Sequence, residues 1–331
     1  MIGIAASAGG IEALRGLIAS LPAELPAAVL VVMHVSPAGP SVLPRILGRA
    51  GVLPARHPED GDPPQEGVIY VAPPDRHMVI SDGVIRLLNE ARVNGHRPSA
   101  DVLLHSIARG RRSGSAGVVL SGTMDDGAAG LRAIRLAGGM TLVQDPEEAA
   151  FPGMPMAAIN ECEPHVIGPV AKLAASLCEW LAGKAVPVAQ PDGVLAGITT
   201  DPLADDDPVE LTALTCPECG GSLSRHDELG TERFRCRVGH SYSADGVLLG
   251  KQRALESALW AAIVALDEQA DVSRRIVDRL EAQGREPQIA WHRRNMLAAQ
   301  RHASYLRSVI SGLLQEGTAE HGEDERAGTA S

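Results

Sequence analysis

The sequence predicts an α/β fold: a doubly wound, mostly parallel sheet with an appended antiparallel pair, followed by a small cysteine-bearing unit and an α-helical hairpin. Three observations carry this. Over residues 1–185, short runs rich in Val, Ile and Leu alternate with amphipathic stretches, the pattern of βαβ units whose sheet is covered on both faces. Between 213 and 247, three Cys and a His fall close together. Beyond 247, apolar residues recur at seven-residue spacing.

Taken in order, strands are expected at Ile2–Ala5, Ala28–His34, Gly67–Ala72, His77–Ser81, Val84–Leu88, Ala116–Ser121, Met140–Gln144 and His165–Ile167. Helices are expected at Ile11–Ser20, Val42–Arg49, Ser99–Arg109, Ala128–Ala137 and Pro169–Leu181. Asp82-Gly83 between two short runs reads as a tight hairpin turn, the antiparallel pair. Residues 186–212 scatter four Pro among Gly and the run Asp205-Asp206-Asp207, too little apolar surface to order a chain, and are read as a linker. Two helices follow, Val247–Gln283 and Pro287–Gln315. Their seams are Leu248, Leu255, Ala262 and Ile276 with Leu259, Leu266 and Leu280, then Ile289, Met296, Ala303 and Ile310. The polar residues 316–331 are expected to be disordered. The division is therefore 1–185, 186–212, 213–247, 248–315 and 316–331.

Composition narrows the function classes. A net charge of −11 argues against wholesale binding to nucleic acid. No apolar run reaches about 18 residues, so no membrane span is expected. The chain enters a strand at once with no basic leader, and its five Cys fit a reducing compartment, so a cytoplasmic protein is expected.

Three polar side chains follow strand ends, where open α/β sheets place their chemistry. Ser7 closes the first strand and precedes Gly9-Gly10 and a helix start, His34 closes the second, and Asp126 follows the strand ending at Ser121. Each has a bland reading: Ser7 and Asp126 as helix caps, His34 as a satisfied structural residue. Together they are the ingredients of nucleophilic acyl transfer, a hydroxyl, a base and a carboxylate that orients the base. The glycine turn is not a nucleotide-binding loop, lacking both Gly-x-Gly-x-x-Gly and a Lys-Ser/Thr pair.

The stretches Gly3-Ile4-Ala5-Ala6-Ser7-Ala8-Gly9-Gly10, Met33-His34-Val35-Ser36-Pro37 and Leu120-Ser121-Gly122-Thr123-Met124-Asp125-Asp126-Gly127 resemble the catalytic domain of CheB, the chemotaxis receptor methylesterase family. Val71-Ala72-Pro73-Pro74-Asp75-Arg76-His77, His96-Arg97-Pro98-Ser99-Ala100-Asp101 and Phe151-Pro152-Gly153-Met154-Pro155 extend the likeness across nearly all of 1–185. The resemblance implies a serine hydrolase that demethylates γ-glutamyl methyl esters of chemoreceptors, some members also deamidating glutamines, with no cofactor for catalysis. It implies Ser7 as nucleophile, His34 as base and Asp126 as orienting acid. Ala8 stands where the family often has Thr, and Thr123 where it has Met; both leave a main-chain N–H for an oxyanion. No receiver domain precedes Ser7, so control through an attached receiver is not expected. The competing reading is a signalling adaptor that keeps the fold for binding alone.

Cys216 and Cys219, then Cys236 and His240, read C-x2-C-x16-C-x3-H, the spacing of a zinc ribbon with four protein ligands and hence a structural ion. Local Arg residues are offset by Glu218, Asp227, Glu228 and Glu232, which weighs against nucleic acid. Similar ribbon-and-helix tails on stand-alone CheB relatives imply a signalling partner on the helical tail.

Overall fold

The computed structural model describes residues 1–34, 41–111, 114–183, 210–283 and 286–327; at 111, 286, 287 and 313–327 it describes the backbone alone. Val35, Ser36 and Pro37 of the sequence motif, and all of the expected linker except 210–212, lie outside them. The chain divides into two compact units, Met1–Leu248 and Leu249–Ser331.

The first unit is organised on a seven-stranded sheet. Its strands are β1 (Ile2–Ala6), β2 (Val29–Met33), β3 (Ala55–Arg56), β4 (Ile69–Val71), β7 (Ala116–Val119), β8 (Met140–Gln144) and β9 (Val166–Gly168), in the order β3-β4-β2-β1-β7-β8-β9. Every pairing in it is parallel. The expected antiparallel pair, β5 (His77–Ser81) and β6 (Val84–Leu88), forms a two-stranded sheet of its own. Side chains alternate across the main sheet as period-two geometry requires. Ile2, Ile4, Val29, Val31 and Val118 face one core with α1 (Gly10–Ala19), α2 (Leu43–Ala50) and α6 (Val170–Leu181). Ala5, Leu30, Val32 and Val119 face the other with α3 (Ala100–Arg111), α4 (Ala128–Leu136) and α5 (Gly153–Cys162). The strand order reverses between β1 and β7, and the crevice beyond their carboxyl ends is where such sheets bind ligands.

A second, four-stranded antiparallel sheet joins this unit: β10 (Glu210–Thr215), β11 (Ser222–Glu228), β12 (Thr231–Cys236) and β13 (Ser241–Tyr242). It does not stand apart. An isolated bridge pairs Val93 with Ser241, the Asn94 N–H donates to the Ser241 carbonyl (2.8 Å), and Ser243 N–H donates to Asn94 Oδ1 (3.0 Å).

The second unit is helical. It holds most of helix α7 (Ala244–Ala282), and α8 (Glu286–Ala327) follows. Ion pairs join Arg293 to Glu281 and Arg307 to Asp267, so the two run antiparallel. Val277 and Leu280 pack on Ile289. On α8 Ile289, Ala303 and Ile310 of the heptad reading are buried, Met296 is half-buried, and Ala299 is buried outside that reading. On α7 Leu280 of the expected seams is buried, whereas the buried line Ile263, Ala270 and Val277 runs one residue on from the expected Ala262 and Ile276, and Leu248 and Leu255 are exposed. Helix α8 also continues through Ala327, past the end at 315 expected from the polarity of the last residues.

Candidate functional site

The turn after β1 is built by backbone bonds. Ser7 N–H donates to the Ser121 carbonyl (2.9 Å) and Gly10 N–H to the Ser7 carbonyl (2.9 Å), while Ser121 Oγ donates to the Ala8 carbonyl (2.8 Å). Gly9 is left-handed (φ 69°), and a Cβ there would lie 2.8 Å from Ser121 Oγ, so only glycine closes this turn against β7. The β1–β2 register pairs Ala6 with Met33, and His34 N–H continues the ladder to the Ala6 carbonyl (3.2 Å). Ser7 and His34 therefore occupy adjacent positions one residue beyond the last paired step.

His34 Nε2 lies 2.7 Å from Asp126 Oδ2, with both side chains buried. Because Asp126 is a carboxylate acceptor, Nε2 carries the proton and Nδ1 is left as the lone-pair nitrogen. That Nδ1 is buried and has no hydrogen-bond partner among the described residues. The His96 ring stacks flat on His34, centroids 3.7 Å apart and planes 3° from parallel, which fixes the imidazole plane.

Asp126 gathers three further donors: Ser99 Oγ at 2.7 Å, Ala100 N–H at 2.7 Å and Asp101 N–H at 3.1 Å. Two of these are the opening amides of α3, where an anion is favoured. Burial pushes the Asp126 carboxyl up, but the His34 hydrogen bond and the nearby histidine charges outweigh it and hold the group well below the usual carboxylate range. Asp101, one residue into α3, returns the arrangement: its Oδ1 accepts Gly127 N–H (2.9 Å) and Gly130 N–H (2.8 Å) at the start of α4. Each acid thus caps the helix that the other belongs to or precedes. The helices come close enough for this because position 130 is glycine; a Cβ there would sit 2.7 Å from Leu104 Cβ.

Around the crevice, buried His77 accepts Ser99 N–H at Nδ1 (3.2 Å), which leaves Nε2 to donate to the Ala91 carbonyl (3.0 Å). Burial lowers its pKa, in keeping with that neutral tautomer. Arg97 forks onto Asp75 Oδ1 (2.9 and 2.7 Å). Gly122 N–H is already engaged by the Phe151 carbonyl (3.0 Å), so it is not an oxyanion donor. His34 and Asp126, both expected from the sequence, are joined in the structure, and Ser7 stands at the position adjacent to His34 on the neighbouring strand. His96, Ser99 and Asp101, which in the sequence belong only to a motif, orient the pair. A polar run opening a helix was their one signal.

Cys216, Cys219, Cys236 and His240 offer four ligand atoms within 4.8 Å of one another. The separations Cys219 Sγ–Cys236 Sγ (3.6 Å), Cys216 Sγ–His240 Nδ1 (3.6 Å) and Cys236 Sγ–His240 Nδ1 (3.5 Å) match the edges of a tetrahedron, about 3.5–3.8 Å for metal bonds of about 2.0–2.3 Å. Both ligand pairs sit on knuckle turns, with Gly220 N–H on the Cys216 carbonyl (2.9 Å) and Gly239 N–H on the Cys236 carbonyl (2.9 Å). His240 Nε2 faces Glu218 Oε2 at 3.3 Å, the outer carboxylate that orients a ligating imidazole. The donor set fits one metal ion.

A doubly wound sheet with an oriented imidazole–carboxylate pair at its switch point and a hydroxyl on the adjacent strand is an arrangement of the kind serine hydrolases use. Residues 2–177 match the CheB methylesterase family, and the chain belongs to it. A protein-glutamate methylesterase/protein-glutamine glutaminase of Anaeromyxobacter dehalogenans is 43% identical over 160 residues, which is 48% of this chain and 47% of that protein. The protein of the same name from Escherichia coli K12 is 39% identical over 164 residues, again 48% and 47%. The chain spans about half the length of the curated relatives it matches. The crystal structure of the Thermotoga maritima CheB methylesterase catalytic domain aligns with a TM-score of 0.52 and 30% identity, covering 54% of this chain and 97% of that one. No helix among the described residues is long and apolar enough to cross a membrane.

Proposed function

We propose that the chain is a protein-glutamate methylesterase acting on methylated chemoreceptor-type proteins in a chemosensory pathway. The observation that carries the reading is the 2.7 Å His34–Asp126 contact, with the unpartnered His34 Nδ1 in the crevice that Ser7 borders. Ser7 Oγ attacks the γ-carbonyl carbon of a glutamyl methyl ester as His34 Nδ1 takes the hydroxyl proton. Asp126 holds the ring and balances the imidazolium. Main-chain N–H groups of Ala8 and Thr123 are the oxyanion donors, each worth about 3 kcal/mol in such sites. The tetrahedral adduct collapses, the C–O bond to methoxide breaks, and His34 protonates the leaving group to methanol. Water then attacks the acyl-enzyme through the same base, releasing glutamate and restoring the Ser7 hydroxyl. A glutamine amide in place of the ester gives the same acyl-enzyme with ammonia as the leaving group. The printed names of the relatives, which join methylesterase to glutaminase, support that second activity.

The Cys3His cluster holds one structural zinc in this reading, since four protein ligands leave no open position for catalysis. Exposed Trp260, Trp291 and Tyr305 on the helical unit support a signalling partner docking there. A cytoplasmic location follows from the substrate class. Fluorophosphonate labelling tests the enzyme reading directly. Modification at Ser7, lost in Ser7→Ala, supports it; a folded chain that takes up no label leaves the adaptor reading in its place.

A further inference from the structure

Arg233 lies on β12, 132 residues from the carboxylate it touches. Its Nη2 donates to Asp101 Oδ2 at 2.5 Å, and both side chains are almost fully buried, 5% and 3% exposed. Its Nε reaches Glu228 Oε2 (3.3 Å), and Glu228 in turn faces His105 of α3. Asp101 is the residue whose other oxygen fixes Gly127 and Gly130 and whose N–H holds Asp126. Burial pushes the Asp101 carboxyl up and the Arg233 charge opposes that shift, so the guanidinium is the counter-ion of an otherwise acidic pocket that also contains Asp125 and Asp126. The same small sheet engages the other side of the site. Ser241 and Ser243 clasp Val93 and Asn94, the base of the turn that carries His96 onto the His34 ring, and Asn94 Nδ2 also donates to Asp101 (3.3 Å).

We infer that Arg233 of the cysteine-bearing sheet is a positioning residue for the hydrolase: through Asp101 it holds the Asp126 loop, and so the His34 ring, in register with Ser7. The inference rests on the esterase reading. Arg233 touches neither substrate nor the reacting atoms, and it acts by fixing the carboxylate that fixes the acid. Lysine does not replace it, because one ammonium cannot fork between Asp101 and Glu228 as the guanidinium does.

The test uses the full chain with Arg233→Met and Arg233→Lys, following hydrolysis of a γ-glutamyl methyl ester peptide and the downfield proton resonance of the His34–Asp126 hydrogen bond. Arg233→Met is expected to lower kcat by about 10- to 100-fold with KM within about twofold, and to shift or broaden that resonance, the scale seen when supporting contacts of a reactive group are lost. Arg233→Lys is expected to fall between it and the wild type, at least threefold down, and it decides the question should the methionine variant fail to fold. A folded variant with wild-type kcat and an unmoved resonance overturns the inference. Failure of the esterase reading looks different: the wild type itself would hydrolyse no ester and take no fluorophosphonate.

Discussion

The crevice at the sheet edge and the cysteine cluster both collect buried polar atoms, and they differ in what is left over. In the cluster each donor atom has at least one other at tetrahedral spacing, and the imidazole is backed by Glu218. At the sheet edge Asp126 is saturated with four donors, yet His34 Nδ1 has no partner among the described residues. A buried acceptor without a partner costs about 1–3 kcal/mol. Such a deficit in a well-bonded surrounding marks a place kept open for a substrate or a reacting hydroxyl, whereas a complete set of four soft ligands marks a staple. One region is arranged to react and the other to hold.

The sharpest way to break that contrast is Ser7→Ala. Removal of the hydroxyl is expected to lower methanol release by about 10⁴-fold or more while the melting temperature stays near that of the wild type, because the turn is tied by backbone bonds. Turnover within tenfold of wild type would refute the nucleophile. Asp126→Asn comes next, at about 10²- to 10⁴-fold in kcat, since the amide supports the wrong imidazole tautomer. It differs from Ser7→Ala in also destabilising the fold, because the Ser99 hydroxyl and two α3 amides lose a charged acceptor; thermal melts read this. Chelation of a zinc-loaded preparation addresses the other region. The β10–β13 sheet is expected to lose its dispersed amide resonances as one zinc per chain is released, while the main sheet keeps its own. A sheet that stays folded without metal removes the staple.

Much of this was legible in the sequence, and what was not has identifiable causes. Strand runs and their terminal polar residues were readable because the main sheet is buried on both faces, leaving long apolar words punctuated by Ser7 and His34. Strand β3 has two residues, one of them exposed, and carries no pattern. Helix α5 was hidden by Pro152 and Pro155, which sit at its cap and first turn, where proline is tolerated. One of the two α7 seams was displaced by one residue because Ala262 and Ile263 are both apolar, and spacing alone does not choose between them. The Arg233–Asp101 pair was invisible for a different reason. Nothing local distinguishes that arginine from Arg225, which pairs on the surface with Glu210 and Glu232; only the fold brings it to α3.

The smallest expected effect lies between the two regions, at Asp125. Burial raises its pKa to about 6, with nearby Asp101 and Asp126 adding to the rise, and Ser243 and Arg233 opposing it. Its Oδ1 is buried without a partner among the described residues. A carboxyl whose folded pKa exceeds its unfolded value binds the extra proton in the native state, so its contribution to stability is complete at low pH and is lost as pH rises from about 4 through about 6. Asp126, held low, acts in the opposite window, below about 4, and is common to both proteins being compared. Asp125→Asn is therefore expected to be more stable than the wild type at pH 8, by on the order of 1–3 kcal/mol, and equal to it near pH 4. Denaturant titrations of the two proteins at both pH values give the difference directly. A gap that is the same at both would mean that Asp125 stays charged throughout, and that the pocket around Arg233 is wetter than its burial implies.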